Sequence, residues 1–172
     1  MASYRHLART CVMQTIFELD MAAEIVQSFS SSPAMAGPTQ KKRSPKVTTK
    51  SFKASLKRLP KDVLDSILKD FAPKLTEKEF AYKTLKGVLD HKKEIVKIIE
   101  KYAPEWPIEK IAPVDRAILK IGVYEIVFSK DIPPVVAINE AVEIAKHFGD
   151  NNSQKFVNGV LSSVMKNYNE RL

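Results

Sequence analysis

A lysine, an aromatic residue and a run of polar residues with short side chains occur together near the C-terminal end of the chain. The run Asp150-Asn151-Asn152-Ser153 is rich in side chains that cap helices, and Asn151 with Gln154 has the spacing of a capping box. The first amides of a helix carry a partial positive charge, and Lys155 adds a full one. The pattern therefore predicts a helix whose first turn is a seat for a phosphate.

Phe156, next in sequence, has two interpretations. It precedes Val160 and Leu161 by four and five residues, which is the spacing of a residue in a helical core. An aromatic ring beside a lysine is equally suited to stack on an unpaired nucleobase. The residues alone leave both interpretations open.

A second helix is predicted directly before this one. Pro134 suits a first helical turn, and Gly149 is expected to end the helix in the left-handed conformation. One face of the helix is apolar, formed by Ile138, Ala141, Val142, Ala145 and Phe148. In the following helix, Gly159 interrupts an apolar stripe, and close helix packing would explain a glycine there.

Helical periodicity also runs through the rest of the chain. We expect a first helix from about Tyr4 to Gln27, and further helical pattern from Phe52 to Phe71. Thr76 with Glu79 predicts a capping box that opens a longer helix ending near Ala103. The segment VYEIVF favours a strand by propensity, but no second strand is available to pair with it, so a helix is predicted.

Composition narrows the class of protein. With 172 residues, 44% of them hydrophobic, and no apolar run of membrane-spanning length, the chain reads as a cytoplasmic globular protein. Its single cysteine, Cys11, lies among apolar residues and is expected to be a buried, inert thiol. Five glycines form no phosphate loop, and three histidines lack metal-ligand spacing, so we expect no enzyme, cofactor or metal site.

The net charge of +8 comes from one segment. Nine lysines and arginines, and no acids, fall between positions 41 and 61, at 41, 42, 43, 46, 50, 53, 57, 58 and 61. We expect one domain over residues 1–172 with a flexible basic insertion at about 29–50, because this stretch is rich in serine, proline and charge. Such a block is either a solvated linker or a nonspecific contact to nucleic acid.

Three segments resemble the NusB family. They are RHLARTCVMQTIFELD near the N-terminus, a tryptophan followed by VDRAILK, and VAINEAVEIAKHFGDNNSQKFVNGVL, which is the most specific. The resemblance implies an all-α, compact bundle of about six or seven helices in two helical subdomains. It also implies a role in transcription antitermination, by binding boxA-like single-stranded RNA together with the ribosomal protein NusE in the RNA polymerase antitermination complex, in support of ribosomal RNA transcription.

The same resemblance implies two sets of site residues. RNA-binding positions map onto Arg5, His6, Arg9, Lys155 and Phe156. Partner-binding positions map onto Phe17, Met21, Ile25 and Asp115. Family members often carry a denser arginine cluster at the N-terminus, so we expect this chain to bind RNA phosphates more weakly.

Two other functions fit the sequence. A NusB-like domain also opens certain ribosomal RNA cytosine methyltransferases, so the chain could be such a domain detached from its catalytic part. It could also be a purely structural helical bundle that forms a homodimer through an apolar face. Comparing molecular size with and without RNA discriminates the homodimer from the RNA-binding protein.

Overall fold

The computed structural model describes residues 4–31 and 58–169. Seven α-helices form within these ranges: α1 Tyr4–Ser31, α2 Pro60–Phe71, α3 Lys78–Asp90, α4 Lys92–Tyr102, α5 Pro113–Val127, α6 Pro134–Phe148 and α7 Ser153–Asn169. A short 3-10 turn, Ile108–Lys110, lies between α4 and α5. The predicted all-α fold is confirmed. The predicted insertion at about 29–50 lies outside the described residues, apart from the last residues of α1.

Helix α5 is the centre of the bundle. It packs against α1, α3, α4, α6 and α7, while α2 packs against α1 and α3. Every residue from Asp115 to Ile126 is buried, so α5 is covered on all sides over this range, and the segment VYEIVF is helical up to Val127, as predicted. A helix surrounded in this way can carry β-branched and aromatic residues on every face, because packing outweighs local propensity.

The outer helices are amphipathic and turn one face towards α5 or α1. In α2, Pro60 occupies the first turn, and Val63, Leu64, Ile67 and Leu68 are buried. In α6, Pro134 begins the helix as predicted, and the buried face is formed by Ala137, Ile138, Ala141, Ile144 and Ala145. Cys11, on α1, is buried, and burial raises the pKa of its thiol, which keeps the thiol protonated.

The long helix predicted after Thr76 is two helices. It begins at Lys78 without a side-chain cap, so the predicted capping box with Glu79 is wrong. The helix breaks at His91, whose ring stacks on that of Phe128 with the centroids 4.0 Å apart, and whose Nδ1 lies 2.7 Å from Glu94 Oε2. His91 therefore anchors the junction of α3 and α4 to the end of α5 and is not an ordinary solvated residue.

Gly149 ends α6 in an extended conformation, with φ −89° and ψ −173°, so the predicted left-handed ending is wrong. The reason for a glycine is close approach: a Cβ there would lie 2.4 Å from Ser153 Cβ and 2.7 Å from the Ala145 carbonyl oxygen. Gly159 has no such neighbour within 4 Å, so close packing does not explain it. The turn from α6 into α7 is thus tight, and the exposed face of α7 at Gly159 is open.

Candidate nucleic-acid interface

The first turn of α7 is capped by Asp150. Its Oδ1 accepts hydrogen bonds from the backbone N–H groups of Asn152 at 2.7 Å and Ser153 at 3.0 Å. In return, the N–H of Asp150 donates to Ser153 Oγ at 2.8 Å. Asp150 and Ser153 therefore fill the reciprocal role predicted for Asn151 and Gln154, and that prediction is wrong. These backbone hydrogen bonds hold the pKa of Asp150 below its usual range.

Asp115, in the first turn of α5, is joined to this cap. Ser153 Oγ donates a 2.9 Å hydrogen bond to Asp115 Oδ2. Asp115 is only 5% exposed, and its Oδ1 is buried without a hydrogen-bond partner. Burial raises the pKa of this carboxyl, although the bond from Ser153 partly opposes the shift. Asp115 thus anchors α7 through one oxygen, while its other oxygen has no partner and is closed off from solvent.

Phe156 lies one turn further along α7, half-buried. Its ring meets that of Trp106 edge to face, with the centroids 6.2 Å apart and the planes at 67°. Between the start of α7 and the loop before α5 is a cleft of about 490 Å³, lined by Trp106, Lys110, Ile111, Ala112, Asp115, Asp150, Asn152, Ser153 and Phe156. We refer to this space as the Trp106 cleft. Its lining combines two aromatic rings with polar groups.

Two cations stand near the Trp106 cleft without acidic partners. Lys110 is exposed in its lining, and Lys155 is exposed beside Phe156 on α7. Across residues 4–31 and 58–169, neither lysine has a carboxylate within ion-pair distance. Both ammonium groups are therefore available to an anion such as a phosphate.

The predicted cations of α1 are already paired. Arg5 Nε donates to Glu77 Oε2 at 2.9 Å, and His6 Nδ1 lies 3.0 Å from Glu140 Oε2. Arg5 also lies over the ring of Phe80, with its guanidinium carbon 5.3 Å from the centroid. Because Arg5 is half exposed, a phosphate can approach its guanidinium from solvent, in competition with Glu77.

Arg9 is buried, with 3% of the residue exposed. Its Nε lies 2.8 Å and 3.1 Å from the two carboxylate oxygens of Glu125, and Glu140 Oε2 is 3.3 Å from another of its nitrogens. Burial raises the pKa of Glu125, and the guanidinium of Arg9 opposes that shift. The guanidinium therefore holds α1 against α5 and α6 and is not displayed to solvent.

The structure does not bring the two predicted halves of the RNA site together. Phe156 and Lys155 lie near Asp115 at the start of α5, whereas Arg9 pairs with Glu125 ten residues later on the same helix. With a rise of 1.5 Å per residue, these points are about 15 Å apart along α5. A ligand contacting both must be extended.

Three of the four predicted partner-binding residues do lie together. Phe17, Met21 and Ile25 follow one another on α1 at intervals of four residues and line a groove of about 430 Å³ between α1 and α2. The other wall includes Val63, Ile67 and Phe71, and Arg58 and Glu18 lie at the groove as an ion pair with 3.4 Å between nitrogen and oxygen. Asp115 is not part of this groove, because it lines the Trp106 cleft with Phe156.

A buried ion-pair cluster between α1 and α5 was not predicted from the sequence. Lys120 Nζ donates to Asp20 Oδ2 at 2.5 Å, Arg116 Nε lies 3.5 Å from the same oxygen, and Arg116 also pairs with Glu24. Burial lowers the pKa of Lys120, against the attraction of Asp20. The signal was present, because two acids four residues apart on α1 match two bases four residues apart on α5.

Comparison with known proteins identifies the family. The model of the NusB family matches residues 43–166. The chain is 48% identical over 98 residues to the transcription antitermination protein NusB of Methylacidiphilum infernorum, covering 56% of this chain and 68% of that protein. It is 41% identical over 105 residues to the protein of the same name from Dehalococcoides mccartyi, covering 61% and 73%. The chain belongs to the NusB family.

Solved structures agree with this assignment. T. maritima NusB is similar with a TM-score of 0.67 and 28% identity, over 98% of this chain and 94% of that one. A chain from a complex of antitermination factors NusB and NusE with double-stranded RNA has the same fold, with a TM-score of 0.70, 24% identity and coverage of 98% and 100%. None of the helices in residues 4–31 and 58–169 is long and apolar enough to cross a membrane.

Proposed function

We propose that this chain is an RNA-binding transcription antitermination factor that acts with the ribosomal protein NusE on boxA-like single-stranded RNA. In this proposal it joins the RNA polymerase antitermination complex and supports transcription of ribosomal RNA. The observation that carries the proposal is the start of α7, where the half-buried ring of Phe156 is next to Lys155, a cation with no carboxylate partner in the part of the chain that the structure describes.

The chemistry of these two residues suits a single strand. The ammonium of Lys155 contacts phosphate without regard to sequence, and the ring of Phe156 stacks on an unpaired base. The pair of Arg9 and Glu125 is about 15 Å from Asp115 along α5. Arg5 and His6 lie within one turn of Arg9 on α1, so they extend the site along the strand. Arg9 is buried below Arg5 and His6, and its ion pairs with Glu125 and Glu140 hold α1 in position.

The groove between α1 and α2 is the surface that we assign to NusE. It is mainly apolar, and Phe17, Met21 and Ile25 present a continuous stripe from one wall. Burying such a stripe against a partner would contribute through the hydrophobic effect, with the ion pair of Arg58 and Glu18 at its border. Asp115 was also predicted to bind the partner, but it lies in the Trp106 cleft with Phe156, so this groove does not include it and its contact with NusE stays a prediction.

The test is a titration of labelled single-stranded boxA-like RNA with the full chain, with NusE and with both proteins. We expect weak binding by the chain alone, because two of its predicted cations have acidic partners and a third is buried, and tighter binding by the pair. Equal affinity with and without NusE would contradict joint binding. Met21→Glu should abolish the gain from NusE and leave binding by the chain alone unchanged, whereas Val136→Glu, on the exposed surface of α6, should change neither.

A further inference from the structure

The Trp106 cleft contains more than the single stacking residue that the proposed function uses. Trp106 is 51% exposed and follows α4 in the loop that leads to α5. Its backbone N–H bonds the Ala103 carbonyl oxygen at 2.9 Å, so the loop is held in a turn at this point. The backbone at Trp106 is therefore held in place, and its indole lines the cleft with about half of its surface exposed.

We propose that the Trp106 cleft binds a nucleobase of the single-stranded RNA, and that Trp106 is a second stacking residue beside Phe156. This inference rests on the proposed function, because it names a further base-binding position in the same RNA site. The ligand is an unpaired base of a single strand whose neighbouring phosphates lie towards Lys110 and Lys155.

The arrangement of the rings permits stacking. Trp106 and Phe156 meet edge to face, so the contact between them covers one face of only one ring. Half of the Trp106 surface remains exposed, which leaves area for a base to cover. The cleft, at about 490 Å³, is within the size range of pockets for small ligands.

Asp115 gives the cleft a group that requires a ligand or water. Its Oδ1 is buried and has no hydrogen-bond partner within residues 4–31 and 58–169, and a buried acceptor in this state destabilises the folded chain. Nucleobases carry N–H donors on their pairing edges, and Asp115 lines the cleft, so a base that enters far enough to reach the buried oxygen can supply the missing bond. Asp115 would then select for the presence of a donor, while the rings bind any base.

The charges of the cleft favour an RNA strand over a cationic side chain of a protein. A basic side chain could also bond Asp115 and lie against the rings. Two acids, Asp115 and Asp150, also line the cleft, but both are engaged in hydrogen bonds at the start of α7. Lys110 in the lining and Lys155 beside Phe156 have no carboxylate within ion-pair distance in the described ranges, and both would repel a cation. The first turn of α7 adds the positive end of a helix dipole, although Asp150 caps it. A single-stranded RNA suits the site because its phosphates complement the lysines and its bases can stack on the aromatic rings.

Intrinsic fluorescence tests the inference directly, because Trp106 is the single tryptophan of the chain. Adding a short single-stranded RNA that contains all the common bases to the full chain should quench the indole emission as binding saturates. Inorganic polyphosphate, which carries the charge without bases, should leave the emission unchanged. The same measurement is made with NusE in place of RNA.

Affinity of the variants for labelled RNA provides the second measurement. Trp106→Leu should weaken binding by between about 5-fold and about 100-fold, as expected for the loss of one base stack, and Trp106→Phe should recover most of it. Phe148→Leu is the matched control, since Phe148 is an exposed aromatic residue at the end of α6, outside the cleft lining, and this change should have no effect. Melting temperatures confirm that each variant is folded.

The outcomes are distinguishable. Quenching by RNA, together with weaker binding by Trp106→Leu, supports the inference. RNA binding with unchanged emission and with equal affinity of Trp106→Leu overturns it and leaves the proposed function intact. A change in emission caused by NusE and not by RNA also overturns it, by assigning the cleft to a protein partner. Absence of RNA binding by the wild-type chain, alone and with NusE, contradicts the proposed function and this inference together.

Discussion

Ser153 and Asp115 connect the first turns of α7 and α5 through a 2.9 Å hydrogen bond from the Ser153 hydroxyl to the Asp115 carboxylate. The bond places Phe156 beside the loop that carries Trp106, because Phe156 lies one turn after Ser153. It satisfies only one of the two oxygens of Asp115. The position of the candidate RNA-binding ring and the ionisation of a buried acid are therefore linked.

The first prediction concerns the pH dependence of stability at Asp115. Burial raises the pKa of its carboxyl above the ordinary value of 3.8, so the folded chain holds this proton to a higher pH than the unfolded chain. Ionisation at this position therefore removes stability as pH rises from 3.8 through the raised pKa. Asp115→Asn keeps an oxygen to accept the bond from Ser153 but cannot ionise.

We expect the melting temperature of Asp115→Asn, relative to wild type, to increase as pH rises through that window and then to level off. Thermal unfolding of both proteins, measured from about pH 4 to about pH 8, checks this. Asp70→Asn changes an exposed residue of α2 and is the control. Its difference in melting temperature from wild type should stay constant over the pH range in which Asp115 ionises. A difference for Asp115→Asn that is constant across the range would contradict the raised pKa.

Two glycines provide the second prediction. A Cβ at Gly149 would lie 2.4 Å from Ser153 Cβ, so Gly149→Ala must displace the start of α7 and should cost about 1–3 kcal/mol of unfolding free energy. Gly159 is an exposed position inside α7 with nothing within 4 Å, and Gly159→Ala should add about 1 kcal/mol. Urea unfolding of the two variants measures both. If both variants gained or both lost unfolding free energy, the predicted difference between the two glycines would be refuted.

The third prediction compares two arginines one turn apart on α1. Arg9→Ala leaves Glu125 buried without its main partner and should cost about 3–5 kcal/mol of unfolding free energy. Arg5→Ala removes an exposed pair with Glu77 and should cost less than about 1 kcal/mol. Urea unfolding midpoints and slopes give both values.

A double variant separates loss of charge pairing from loss of packing at Arg9. Arg9→Met with Glu125→Leu replaces the buried pair with apolar side chains and should recover much of the stability lost in Arg9→Ala. If Arg9→Ala instead costs as little as Arg5→Ala, Arg9 is not the buried anchor of α1. It would then be available for phosphate.

The sequence predicted the helices whose apolar faces have a clear period. Pro134 marked the start of α6 correctly, and the absence of a pairing strand identified VYEIVF as part of α5. The break at His91 was missed because it depends on stacking against Phe128, which lies far away in sequence. The capping prediction at Asn151 failed because Asp150 and Ser153 have the same spacing, and Asp115 holds Ser153 in place. The prediction at Thr76 failed because α3 begins without a side-chain cap, which nothing in the structure explains.

The candidate site was predictable in its residue types and less so in its geometry. Lys155 and Phe156 are at the start of a helix, as their sequence context indicates. The family resemblance predicts Arg9 as an RNA-binding residue, and nothing in the residues around it indicates burial, yet Glu125 on α5 holds it inside. The proximity of Trp106 to Phe156 was not predictable from the sequence, because it arises from the packing of the loop before α5 onto α7.

The final prediction separates the two interpretations of Phe156. Its ring is half-buried and contacts Trp106, so it has both a packed side and an accessible side. Phe156→Ala should weaken binding of single-stranded RNA by about 1–3 kcal/mol, the range for one base stack. Its cost to folding should be smaller than the roughly 3–5 kcal/mol expected for a fully buried phenylalanine.

Both quantities are measured on the same preparations, by RNA titration and by urea unfolding. Phe156→Tyr keeps the ring and should retain RNA affinity, while Phe148→Ala removes an exposed ring at the end of α6 and should leave RNA affinity unchanged. A full core cost of folding with unchanged RNA affinity per folded molecule would make Phe156 a packing residue. The stacking surface would then be that of Trp106 alone, because its ring remains half exposed whatever Phe156 contributes to the core.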